Sequence, residues 1–396
     1  MNLTHPTGGL QLGSLKRLST VQSPRGSLSI LHGELPFCKI AGLVLLCGFA
    51  AVLQAFAQTD MAYPSDAKVL NVKTYGATGN GTTDDTVAFQ TAITAALQAA
   101  GGADQFDDNA ILYVPNGTYL IKNTLVGSIS GAFDYGMHIQ GQSQAGTILK
   151  LQNSCTGFTV GTTQKPVIQT GSQGGHNNTA FHHYIKNLTI DVGTGNPGAV
   201  GVDFMVNNRG GLFNVTIKSE DYQGSVGVQM DRTYPGPGLL KNVTIVGFAT
   251  GITMLDHGEY GMTFDNINLS HQTANGISTV NTMTIANLTS SNTVPVINSS
   301  GGHVTVIGGT FTGGSPSNNA ITGTGSVYAR DITCSGYANV FKVTAGATIA
   351  GNGATPVTVS EYESRPSFPP YRLPLESRQR NRLTSPSPSP WRQWLH

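Results

Sequence analysis

Asn187-Leu-Thr-Ile190 returns as Asn214-Val-Thr-Ile217, Asn242-Val-Thr-Ile245, Asn266-Ile-Asn-Leu269 and Asn287-Leu-Thr289, and Gly309-Thr-Phe311 and Asp331-Ile-Thr333 follow in phase. The steps are 27, 28, 24, 21, 22 and 22 residues. A second series, Gly201-Val-Asp-Phe204, Gly227-Val-Gln-Met230, Gly251-Ile-Thr-Met254 and Gly276-Ile-Ser-Thr279, advances by 26, 24 and 25 residues. Two strand series sharing one period of this length describe coils stacked into a solenoid. No segment between them has helical periodicity, so each coil is built of short strands and bends. The expectation is an all-β chain folded as a right-handed parallel β-helix. Alternation puts Val202, Val228, Ile252 and Ile277 inward with Phe204, Met230, Met254 and Thr279, and turns Asp203, Gln229, Thr253 and Ser278 outward.

Upstream, Asn71-Val-Lys-Thr-Tyr-Gly-Ala-Thr-Gly-Asn-Gly-Thr-Thr-Asp-Asp-Thr-Val-Ala-Phe-Gln-Thr-Ala-Ile93 breaks the pattern. Gly76, Gly79 and Gly81 make a tight loop, Thr83 or Asp84 caps a helix, and Asp85 is expected in its positive first turn. Phe89, Ile93 and Leu97 with Ala92 and Ala96 form one apolar stripe, stopped by Gly101-Gly102. This amphipathic helix, over 84–100, is expected to cap the open N-terminal end of the coil, whose bare strand edge invites aggregation. Two short strands, Ile111–Pro115 and Thr118–Ile121, flank an Asn116-Gly117 turn.

The chain is 396 residues long with 50 Gly, about 13% against a usual 7% or so, and only 11% charged residues. Neither a coiled coil nor a charged disordered chain has that composition. Residues 1–57 carry a net charge of +3, 58–364 a net of −7 and 365–396 a net of +5. An acidic body with scattered Lys offers no footprint for a phosphate backbone, so a nucleic-acid partner is not expected. Ile40–Leu53 is a run of 14 apolar residues after Lys39 and before Ala55-Phe-Ala57. That is too short to span a bilayer and reads as a secretory signal cleaved after Ala57, which implies a secreted protein with no stable membrane association; a buried helix is the competing reading. The last 32 residues hold six of the eleven Arg, both Trp and seven Pro, yet no Gly, Ala, Val or Ile. They read as a disordered or out-of-frame tail after a β-helix domain at 58–364. Cys155 and Cys334 lie far apart in the repeat, so no disulfide framework is expected.

Tyr75-Gly-Ala-Thr-Gly-Asn-Gly-Thr-Thr-Asp-Asp-Thr-Val-Ala-Phe-Gln-Thr-Ala-Ile93, then Leu112-Tyr-Val-Pro-Asn-Gly-Thr-Tyr119, resembles the opening of pectate-lyase-like β-helix domains, a superfamily that groups rhamnogalacturonases, epimerase-like proteins and glycoside hydrolase family 55 glucanases. Gly236-Pro-Gly-Leu-Leu-Lys-Asn-Val-Thr-Ile-Val-Gly-Phe-Ala-Thr-Gly-Ile252, with Glu361-Tyr-Glu-Ser364, looks most like the first half of family 55-type proteins. The resemblance implies a secreted protein acting on β-glucan or pectin-type polysaccharide. It also implies a second β-helix domain bearing the catalytic acid, and its Gly-Ala-x-Gly opening does not recur here, so no catalytic residue is carried over.

Glycoside hydrolysis needs two carboxyl groups roughly 5 to 9.5 Å apart. The outward column at Asp203, Gln229, Thr253 and Ser278 supplies one, so a pair must come from the loops that follow. These are Asn207-Asn-Arg-Gly210, Asp231-Arg-Thr-Tyr-Pro-Gly-Pro-Gly238 and Asp256-His-Gly-Glu-Tyr260, in the same phase on adjacent coils. Glu259 and Asp231 are the candidate acid and base. Arg209, Arg232, Tyr234, Asp256, His257 and Tyr260 are candidate contacts to sugar faces, hydroxyls or uronate carboxylates. The alternatives are a solvated loop set and a docking face for a second domain. No metal or other cofactor is expected: capping accounts for Asp84 and Asp85, and His176, His182 and His183 lack Cys or carboxylate at ligand spacing. The Asn-x-Thr/Ser sites at Asn187, Asn214, Asn242, Asn268 and Asn287 fit stacked ladders better than glycosylation. The function therefore lies between a hydrolase, a pectate-lyase-type lyase and a non-catalytic carbohydrate-binding or adhesive β-helix.

Overall fold

The computed structural model describes residues 63–64, 66–99, 110–129, 132–133, 136–171, 180–257 and 260–364. The expected signal and the stretch upstream of it, together 1–57, the tail at 365–396, His176 and Glu259 lie outside the described residues. Short strands alternate along the chain between two large parallel sheets. One, of 14 strands, runs from Val69–Asn71 through His183–Asp191, Gly210–Lys218, Leu239–Val246, Met262–Ser270 and Met283–Ser291 to Val357–Glu363. The other, of ten, runs from Leu125–Val126 through Ala199–Asp203, Val226–Gln229, Thr250–Met254 and Asn275–Thr279 to Asn339–Val343 and Ile349–Ala350. Each strand pairs with its counterpart one coil on, which is the parallel β-helix that the two repeat series predict. The final strand of each sheet reverses direction: Val357–Glu363 is antiparallel to Ser326–Cys334, and Ile349–Ala350 to Asn339–Val343.

The first series is the bend of the larger sheet. Asn187, Asn214, Asn242, Asn266 and Asn287 all sit at φ between 55° and 58°, in the left-handed region that Asn tolerates better than other residues with a side chain. There the chain turns within a continuous strand, and the amides stack. Asn214 Nδ2 donates to Asn187 Oδ1 at 2.9 Å, Asn242 to Asn214 at 2.8 Å and Asn266 to Asn242 at 2.9 Å. Asn268, one of the five sequence sites, lies outside this ladder. Gly309 is one residue out of the expected phase, because Leu288 pairs with Gly309 and the left-handed position belongs to Gly308, at φ 76°.

The second series lines the interior: Val202, Val228, Ile252, Ile277, Phe204, Met230, Met254 and Thr279 are wholly buried. Its glycines explain why the series starts as it does. A Cβ at Gly251 would lie 2.6 Å from the Gly276 carbonyl oxygen, and one at Gly276 equally close to that of Val296. Gly201 and Gly227 meet the next coil in the same way.

The helix spans Thr86–Ala99 and buries Phe89, Ala92, Ile93, Ala96 and Leu97 against elements that include Val69–Asn71 and Leu125–Val126, the first strands of the two sheets. Asp84 caps it through Thr86 N–H at 3.0 Å. Asp85 is not in the first turn: it is wholly buried, and its carboxylate accepts from Thr78 N–H at 2.7 Å and Gly79 N–H at 3.1 Å, pinning the glycine loop. The strands around Asn116-Gly117 do not pair with each other. Ile111–Val114 pairs in parallel with Val69–Asn71 and His138–Gly141, and Gly117–Ile121 with Asn80–Asp84 and Thr147–Leu151, so the turn is a corner of the coil. Cys155 and Cys334 are free and buried, and burial pushes the Cys334 thiol up to about 12.

Candidate functional site

The outward face of the ten-stranded sheet keeps one register: Gln169, Asp203, Gln229, Thr253 and Ser278 stand side by side on successive coils. Two of these do not meet solvent. Asp203 is 7% exposed and Thr253 5%, because the loops leaving the sheet fold back over them. Arg232 is the main cover. Its Nε donates to Asp203 Oδ1 at 2.9 Å, and its Nη2 donates to the carbonyls of Thr170 and Asp203. Gln169 Nε2 donates to the other Asp203 oxygen at 3.3 Å. Burial pushes the Asp203 carboxyl above the usual carboxylate range, with Arg232 pulling the other way, and burial lowers the Arg232 guanidinium. Arg232, expected to meet substrate, is thus engaged inside the loop set.

Asp231 is half-buried and accepts three hydrogen bonds, from Thr253 Oγ1 at 2.8 Å, Leu255 N–H at 2.9 Å and Gln229 Nε2 at 3.1 Å. All three donors come from the sheet column or its continuation, so the coil register itself aims this carboxylate. Asp256 accepts from Tyr234 N–H at 3.3 Å, and its carbonyl accepts from Asn281 Nδ2 at 3.0 Å, so three consecutive coils are laced together. Tyr234, at φ 60°, packs edge-to-face on Tyr260 with ring centroids 5.4 Å apart.

Tyr260 is 47% exposed and the neighbouring Leu255 45%. Arg209 and His257 are also exposed. The structure therefore brings Asp231, Tyr234, Asp256 and Tyr260 together across adjacent loops, and it draws Arg232 beneath them to Asp203. Sequence reading missed that ion pair. The alternation rule gives the direction of Asp203, but only the fold of the next loop decides whether water reaches it. Leu255 was missed too, since a lone apolar residue in a polar loop carries no pattern.

His183, at the entry to this region, is wholly buried. Its Nδ1 accepts from Met137 N–H at 3.1 Å, and burial, with the Arg232 charge second, holds it down at about 3. Among the described residues no group of three or more His, Cys, Asp or Glu is placed to hold a metal ion. No helix among them is long and apolar enough to cross a membrane.

The chain is 27% identical over 204 residues to a glucan 1,3-beta-glucosidase of Cochliobolus carbonum, covering 50% of this chain and 25% of that one. It is 29% identical over 203 residues to a probable glucan endo-1,3-beta-glucosidase of Arthroderma benhamiae, covering 50% and 21%. The match thus spans about a quarter of the length of these relatives. A solved structure, the pre-mature gene product 12 of bacteriophage phi29, aligns with a TM-score of 0.47 at 15% identity over 72% of this chain and 36% of that one. The model of the rhamnogalacturonase A/epimerase, pectate lyase-like family matches residues 69–302, more than half of the chain, and the protein belongs to that family.

Proposed function

We propose that this chain is a β-helix module of a secreted polysaccharide-degrading protein, which binds a β-glucan or pectin-type chain across the loops at 207–210, 231–238 and 255–260. The observation that carries this reading is the Tyr234–Tyr260 pair, with exposed Leu255, Arg209 and His257 on the same loop set. An aromatic and apolar patch suits the CH faces of a sugar ring, and the charged rim suits its hydroxyls or carboxylates. The relatives named as glucosidases support a glycan as partner, and their greater length supports a second domain as the seat of hydrolysis. The apolar run at 40–53 supports export.

A second reading puts the chemistry in this module, with Glu259 as general acid and Asp231 as base. The three donors fixed on Asp231 favour it, since a base must be held in place. Reducing-sugar release from laminarin, polygalacturonate and rhamnogalacturonan separates the two readings. The chain alone should bind these polymers and release little or no sugar, and a version extended by a family 55-type second domain should turn over. Robust turnover by the chain alone, abolished in Glu259→Gln, would reverse that conclusion.

A further inference from the structure

At the other end of the ten-stranded sheet, an open cleft of about 540 Å³ lies over Asn319–Gly323 and Asn339–Val343. That is the size of a small-ligand site, yet its lining is polar: Asn319, Thr322, Thr324, Lys342, Thr344 and Thr348. Thr322, Thr324 and Thr344 each donate their hydroxyl proton to a backbone carbonyl, of Lys342, Ser300 and Gly323 respectively, at 2.9 to 3.2 Å. Their oxygens are left as acceptors. Asn319 Oδ1 accepts from Asn339 Nδ2 at 2.7 Å, which leaves the Asn319 amide N–H groups as donors. Lys342 is the only ionisable side chain in the lining, is exposed, and has no ion-pair partner among the described residues.

The wall therefore offers acceptors for hydroxyl protons, an amide donor, and one cation open to an anion. A sugar unit bearing a carboxylate supplies all three complements. The cleft also belongs to the same outward column as Asp203, since Thr253, Ser278, Asn298, Thr322 and Lys342 follow one another in register. From the coil of Gln229 to that of Lys342 is five steps, roughly 24 Å at about 4.8 Å per coil.

We infer that this cleft is a second subsite, one that takes a uronate unit of the same polysaccharide chain that rests on the Tyr234–Tyr260 loops; the shared-chain part rests on the function proposed above. It makes the substrate an acidic, pectin-type polymer rather than a neutral glucan.

Calorimetric titration of the full chain with oligogalacturonates, and with laminari-oligosaccharides of matched length, tests this. Lys342→Met should weaken oligogalacturonate binding about tenfold, the size of one charge-assisted hydrogen bond at an accessible site, and leave laminari-oligosaccharide binding unchanged. Lys342→Arg should retain most of the affinity. Thermal midpoints equal to that of the parent would show that both variants fold. Tyr260→Ala should weaken the long oligogalacturonate and spare a trimer, which is too short to reach from the cleft. If Tyr260→Ala changes neither while Lys342→Met still does, the cleft stands and the loop reading fails. Unchanged uronate affinity in Lys342→Met, or equal weakening of both polymers, overturns the cleft.

Discussion

The bend of the larger sheet and the loops leaving the smaller one are both polar, and both interrupt strands, yet they are built on opposite principles. At the bend every coil from Asn187 to Asn266 places the same amide on the amide before it, in one backbone conformation. In the loops no two coils agree: Asn207, Asp231 and Asp256 each find a different partner, and Arg232 crosses a coil to reach Asp203. At the bend, repetition satisfies the polar groups along the stack and leaves little to offer a ligand. Departure from repetition is where charge and aromatic rings collect.

The sharpest way to break this contrast is at the loops. Arg232→Ala should cost about 3 to 5 kcal/mol, because it leaves the buried Asp203 carboxylate without its cation. Asp203→Asn in the same chain should return much of that, measured by chemical denaturation. If Arg232→Ala is nearly silent, the loop set is a surface feature and not a packed one. At the bend, Asn242→Ala should cost about 2 kcal/mol, combining a left-handed residue that Ala resists with two lost amide bonds. Asn242→Gly should cost roughly half as much, since it keeps the backbone and loses only the ladder.

Acid probes the loop side through His183. Its folded value of about 3 lies below the 6.5 of a free imidazole, so between these values the unfolded chain takes a proton that the folded chain refuses. Stability is full above 6.5 and falls as the pH drops through that window, by roughly 2 kcal/mol at pH 5 from this group. The loss between pH 7 and pH 5, followed by denaturant midpoint, should shrink in His183→Gln. The smallest effect is expected at Tyr260: its replacement by Ala should change stability by no more than about 0.5 kcal/mol, while lowering glycan binding.

The same contrast governs what could be read from the sequence. The coil, its inward column and the Asn ladder are legible because each is stated several times over. One copy, Gly308, is misphased by a residue, since Gly carries no side chain to mark it. The loops are stated once each. Their residue types point to a site, and adjacency in phase brings Asp231, Tyr234, Asp256 and Tyr260 together as expected. The turning of Arg232 inward depends on Thr170 and Asp203, one of them 62 residues away, and no local pattern encodes that. Asp85 is the same lesson in small: its sequence position suits a helix dipole, but the loop behind it offers closer donors.

The glycine that opens four successive inner strands, Gly201, Gly227, Gly251 and Gly276, pressed against the carbonyl of the next coil, bears on how such a chain is inherited. Because each of these four coils presents the same small residue to the same backbone oxygen, one of them duplicated or deleted whole meets a neighbour it already fits. A single substitution in the column does not. The outer face can therefore lengthen or shorten in descent by whole coils, carrying the Tyr234–Tyr260 loops and the Lys342 cleft closer together or farther apart without redesign of either.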